Sequence, residues 1–165
     1  MRQDLTTDTV DRYIEAPPQV LYDLIADVTR TPELTADIVR VEWLDGATEA
    51  VVGARFKAIN TAGRGPKWSN KPVITAVDPG REIAWARTEV IGGTLEWRYR
   101  FEPEGTGTRV TESYEVTKPL PLLGWFLIGT LFGLKDRKGH LHASMLATLD
   151  RLAEMTESAS EPASG

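Results

Sequence analysis

Arg87 and Glu112 are the residues of this sequence best placed to do chemistry, because each falls on the apolar phase of an alternating segment. In residues 82–90 that phase is Ile83, Trp85 and Arg87; in residues 108–117 it is Val110, Glu112, Tyr114 and Val116. A charge carried inward on a strand needs a partner or water. The two therefore either form an internal ion pair or line a wet cavity, where they would orient a ligand head, polarise a carbonyl or move a proton.

Other reactive sets are weaker. His140 and His142 are the two histidines, and on a helix their spacing turns them about 160° apart, too far to share a metal. No metal and no cofactor are expected. Asp136, His140 and Ser144 stand at i, i+4 and i+8 and imitate a nucleophile triad, but they fall away from the apolar stripe of their helix, and no oxyanion donors accompany them. Gly63-Arg64-Gly65 lacks the third glycine and following helix of a phosphate cradle and reads as a hairpin turn. The absence of cysteine excludes disulfides, thiolate nucleophiles and sulfur-ligated metals, and suits a reducing cytoplasm.

The elements that must position Arg87 and Glu112 can be read from periodicity. Residues 9–15 alternate as a strand and stop at Ala16-Pro17-Pro18, where the prolines pre-set a helical turn. Val20, Leu21, Leu24, Ile25 and Val28 then recur at helical spacing, and Thr31-Pro32-Glu33-Leu34 starts a second short helix. Six turn-punctuated strands follow over residues 38–44, 54–60, 67–77, 82–90, 94–102 and 108–117, an antiparallel meander in which Pro72 interrupts the third. Leu134, Leu141, Met145, Leu149 and Leu152 give the last element one apolar stripe on a helix about 30 Å long. The expectation is an α+β fold of seven strands wrapped around a long C-terminal helix, with two short helices between the first and second strands.

A sheet closed on one helix leaves a cavity, and strand phase says what lines it. Residues 94–102 place Leu95, Trp97, Tyr99 and Phe101 on one face and Glu96, Arg98, Arg100 and Glu102 on the other. Exposing the aromatic face would forfeit roughly 1.5–3 kcal/mol per side chain, which fixes the register. The expected lining is Phe56, Trp68, Asn70, Trp85, Arg87, Trp97, Tyr99, Glu112 and Tyr114 from the strands, with Leu141 and Met145 from the helix. An apolar wall with a few convergent polar groups is the usual make-up of a small-molecule site.

Composition bounds the partners. The 165 residues suit one domain, expected over residues 1–157, with residues 158–165 (SASEPASG) a disordered tail. A net charge of -5 with basic residues scattered among acids argues against nucleic acid. The first ten residues lack the apolar core of a secretory signal, so a cytoplasmic location is expected. Residues 119–134 carry no charge but are shorter than the roughly 20 residues of a spanning helix. Within them, residues 122–133 combine Trp125, Phe126, Leu127, Ile128, Leu131 and Phe132 with three glycines. That stretch reads either as a gate making transient membrane or protein contact, or as the packed start of the long helix.

The sequence resembles the START-like, or Bet v 1-like, helix-grip superfamily, and within it the bacterial polyketide cyclase/dehydrase and lipid-transport group. The resemblance spans residues 7–155 and rests on residues 16–28 (APPQVLYDLIADV), 39–44 (VRVEWL), 53–56 (GARF), 97–101 (WRYRF) and 107–113 (GTRVTES). It implies a seven-stranded antiparallel sheet gripping the C-terminal helix around a hydrophobic cavity, in members that carry lipids, sterols, isoprenoids, quinones or polyketides. Some members cyclise or dehydrate polyketide chains, and no catalytic motif of theirs maps onto these residues. The expected function is therefore binding or transport of a hydrophobic small molecule. An aromatase/cyclase or dehydratase using the same cavity is the alternative, and a partner-regulating module the third reading.

Overall fold

The computed structural model describes residues 7–88, 93–119, 121–123, 126, 130 and 137–160. Strand β1 (Thr7–Ile14) leads to helix α1 (Pro18–Ala26), a 3-10 turn (Val28–Arg30) and helix α2 (Thr31–Leu34). Strands β2 (Ile38–Trp43), β3 (Phe56–Asn60), β4 (Trp68–Asn70), β5 (Val73–Asp78), β6 (Glu82–Thr88), β7 (Thr94–Glu104) and β8 (Gly107–Lys118) follow, and helix α3 (Arg137–Ser160) is the last described element. Prolines sit in the first turns of α1 and α2, where a missing N–H costs no helical hydrogen bond.

The strands number eight among the described residues, not seven, and they form two sheets. One has the order β1-β8-β7-β6-β5, the other β2-β3-β4. The extra strand comes from Pro72, which has no N–H to donate and splits residues 67–77 into β4 and β5. The sheets stay joined at that split: Arg55 bridges Val73, the Phe56 N–H donates to the Pro72 carbonyl at 3.2 Å, and the Ile74 N–H to the Ala54 carbonyl at 2.9 Å. The result is a curved surface with a crease at Pro72.

Two turns show why the meander folds back where it does. Asp78-Pro79-Gly80-Arg81 closes with the Arg81 N–H on the Asp78 carbonyl at 2.9 Å, and Gly80 takes φ +78°, as the third position of a type II turn requires. At the start of β8, a side chain on Gly107 would meet the Ile14 carbonyl oxygen at 2.4 Å, so only glycine lets β1 and β8 approach there.

Helix α3 lies along β1 and is held on both flanks. Asp8 and Arg12, four residues apart on β1, meet His142 at 2.7 Å and Asp150 at 3.1 Å, eight residues apart on α3. Four strand residues and eight helical residues both span about 12–13 Å, so the two ladders match in pitch. On the other flank the Ser144 hydroxyl donates to Asp37 at 2.6 Å and the Arg151 Nε–H to the Glu33 carbonyl at 3.1 Å. The apolar stripe Leu141, Met145, Leu149 and Leu152 is buried between these flanks, whereas Leu134 lies outside the described residues.

The helix continues to Ser160, so the first three residues of the expected tail are helical, and residues 161–165 lie outside the described residues. Most of the expected gate, residues 122–133, also lies outside them. Leu122, Leu123 and Phe126 are described and stand exposed at 69%, 69% and 63%. No helix among the described residues is long and apolar enough to cross a membrane.

Candidate functional site

The sheets and helix α3 line a partly open cavity of about 80 Å³. Its wall is aromatic because β6 and β7 are in register: Trp85 pairs with Trp97 on the inward face, and the buried Tyr114 stands opposite Trp97 on β8. Edge-on and tilted contacts knit the rings, with Phe56 to Trp85 at 5.9 Å, Trp85 to Tyr99 at 5.6 Å and Trp97 to Tyr114 at 5.3 Å. Phe56, Ala58 and Asn60, the inward phase of β3, are all buried.

Of the residues expected to line a cavity, Phe56, Trp68, Trp85, Arg87, Trp97, Tyr99, Glu112 and Leu141 do so. Asn70, Tyr114 and Met145 are buried but stand outside the lining. The Asn70 amide has neither a donor nor an acceptor partner among the described residues, and the Trp97 Nε1–H has no acceptor.

Arg87 and Glu112 face the same cavity without forming a pair. Register separates them: Glu112 lies opposite Tyr99, and Tyr99 opposite Ile83, so Arg87 is four residues further along β6 and two strands away. Four residues of strand are about 13 Å. The Arg87 guanidinium instead lies 5.4 Å over the Trp97 ring, a cation–π distance.

Glu112 is 3% exposed. Burial pushes its carboxyl up to about 8, opposed only by the Tyr99 hydroxyl, which donates to Oε1 at 2.7 Å. Oε2 has no hydrogen-bond partner among the described residues. Tyr99 is itself raised well above the ordinary phenol value, first by burial and then by the neighbouring Glu112, so it keeps its proton. At neutral pH this is a neutral acid backed by a hydroxyl in an apolar wall.

A second polar cluster, which the helical phase of α3 does not predict, stands at the α3 side of the cavity. His140, Ser144 and Thr148 line it, although helical phase assigns the first two to a face away from the apolar stripe. Because α3 packs against β1 and β8 and also against α2, more than one stripe of it is covered. The third member is Asp37, from the loop between α2 and β2, rather than Asp136, which lies outside the described residues. Asp37 Oδ2 accepts from Ser144 and lies 3.4 Å from His140 Nε2. The serine is thus directed at a carboxylate and not at a base nitrogen, which is not the order of a nucleophile triad. The cluster can hold or exchange a proton with a polar molecule in the cavity.

Comparison with known proteins places this geometry. The family model described as Polyketide cyclase / dehydrase and lipid transport matches residues 6–154. A comparison with curated proteins gives no match. Among solved structures, protein CV1439 of Chromobacterium violaceum superposes with a TM-score of 0.70 at 17% identity, covering 93% of this chain and 99% of that one. The di-domain ARO/CYC StfQ from the steffimycin biosynthetic pathway gives 0.73 at 14% identity over 93% of this chain and 51% of its own. Ara h 8.0201 gives 0.62 at 16% over 92% and 97%. At such identities the likeness is one of fold.

Proposed function

Since the chain belongs to the polyketide cyclase/dehydrase and lipid transport family and has the START-like, Bet v 1-like helix-grip fold, we propose that it binds a hydrophobic small molecule in its internal cavity. The observation that carries this reading is the aromatic cavity between sheet and α3, with polar groups grouped at Glu112 and Tyr99 and at Asp37, His140 and Ser144. Removing aromatic surface from water supplies the affinity, and the polar groups orient the molecule. The free cavity is smaller than the roughly 300–1,000 Å³ usual for such sites, so a lipid- or polyketide-sized ligand displaces lining side chains as it enters. Native mass spectrometry of gently purified protein tests the reading, with a co-purified apolar molecule as the expected result. If none is found, and a dye that brightens in apolar pockets binds wild type and Trp97→Ala equally, the reading fails.

One observation favours a second reading, a cyclase or dehydratase in the same cavity. Glu112 keeps its proton near neutral pH, as a general acid acting on a ketone would need. Its test is turnover of a poly-β-keto chain, with product formation faster than in buffer and lost in Glu112→Gln.

A further inference from the structure

We propose that the cavity selects ligands bearing a neutral carbonyl oxygen, which Glu112 Oε2 meets as a hydrogen-bond donor. This rests on the cavity being a ligand site and adds which head group it prefers.

Glu112 lines the cavity and is almost wholly buried. Its Oε1 already accepts the Tyr99 proton at 2.7 Å, and Oε2 has no protein partner among the described residues. Across the ladder its neighbours are Val10 on β1 and Tyr99 on β7, neither of them cationic. Arg12 on β1 shares the inward phase of Val10, two residues from it, but is paired with Asp150 of α3 at 3.1 Å, and Arg87 is displaced by four residues of strand.

With no cation bonded to it among the described residues, the carboxyl carries a proton at neutral pH, in agreement with its raised titration. Since the Tyr99 hydroxyl points its hydrogen at Oε1, the acid proton belongs to Oε2. A buried O–H donor without an acceptor is costly, and a ligand carbonyl removes that cost. A hydrocarbon end leaves it in place, and an ionised end adds the penalty of burying a charge.

Acetophenone and ethylbenzene, which differ by a carbonyl in place of a methylene, are the probes, titrated calorimetrically into the whole protein. Glu112→Leu should lower the acetophenone-to-ethylbenzene affinity ratio roughly tenfold, the worth of about one hydrogen bond. Glu112→Gln should preserve the ratio, because its amide can accept from Tyr99 and donate into the cavity. An unchanged ratio across all three proteins overturns the inference. Infrared spectroscopy of 13C-labelled acetophenone bound to wild type and to Glu112→Leu identifies the donor, since the Trp97 Nε1–H also lacks an acceptor. A carbonyl stretch shifted below its value in hexane in wild type and not in Glu112→Leu supports the Glu112 hydrogen bond, and a hexane-like stretch at saturation in wild type, or an equal shift in both proteins, contradicts it. Binding of ethylbenzene with no such selectivity defeats this inference alone, whereas binding of neither probe defeats the cavity reading and this inference with it.

Discussion

Glu82 and Glu112 stand on the same five-stranded sheet, both against β7, and burial pushes on both carboxyls. Glu82 lies opposite Arg100 on the outer face, where Arg98 also donates to it and the Arg100 Nε–H reaches it at 3.2 Å. Those hydrogen bonds and charges outweigh burial and hold Glu82 below the usual carboxylate range. Glu112 lies opposite Tyr99, one residue away from each of those arginines, and is raised to about 8. A single step of strand phase therefore turns one glutamate into a structural anion and the other into a neutral acid.

The largest test of this two-faced strand compares neighbours on β7. Trp97→Ala should cost about 3–5 kcal/mol by emptying the inner wall, whereas Arg98→Ala should cost about 1 kcal/mol or less because its ion pairs are part-exposed. Denaturant midpoints measure both, and equal losses would break the comparison.

The next test is pH dependence, with opposite signs for the two glutamates. A carboxyl raised on folding favours the native state below its unfolded value, near 4.3, and that contribution is lost as pH rises towards about 8. Glu112→Gln should remove the loss, gaining a few kcal/mol over wild type at pH 8 and about nothing at pH 4. For Glu82, lowered on folding, the contribution is present at neutral pH and lost as acid protonates it. Glu82→Gln should be less stable than wild type by about 1 kcal/mol or less at pH 7, with the difference closing in acid. Parallel pH profiles for the two variants would contradict the assignment.

The smallest effects belong to the ladder that sets α3 along β1. His142→Ala and Asp150→Asn should each cost about 0.2–1 kcal/mol, since these pairs are partly solvated. Larger losses would mean that the ladder, and not the apolar stripe beneath it, holds the helix.

The sequence carries strand phase clearly where alternation is extreme, as in β7, and the inward set Leu95, Trp97, Tyr99 and Phe101 is buried as that phase requires. Pro72 likewise announces the break between β4 and β5, because its missing N–H is a local fact. The division into two sheets is not local, since it depends on which neighbour each half finds across the crease. Arg87 and Glu112 share a face by phase, but the distance between them follows from hairpin register, which counts residues through two turns. Asp37 sits in a short loop with no periodicity, and it joins the site only because α3 docks beside it. His140 and Ser144 join the site because α3 also packs beside α2 and the Asp37 loop, a tertiary contact that helical phase does not carry.

The most direct test of the central claim is a 1H–15N titration of wild type with ethylbenzene, following the tryptophan indole N–H signals. Saturable shifts of the Trp85 and Trp97 signals, weakened in Phe56→Ala, are the predicted result, because these rings form the cavity wall. Shifts confined to exposed residues such as Leu122, Leu123 and Phe126, with the Trp85 and Trp97 signals unmoved, would contradict an internal ligand site.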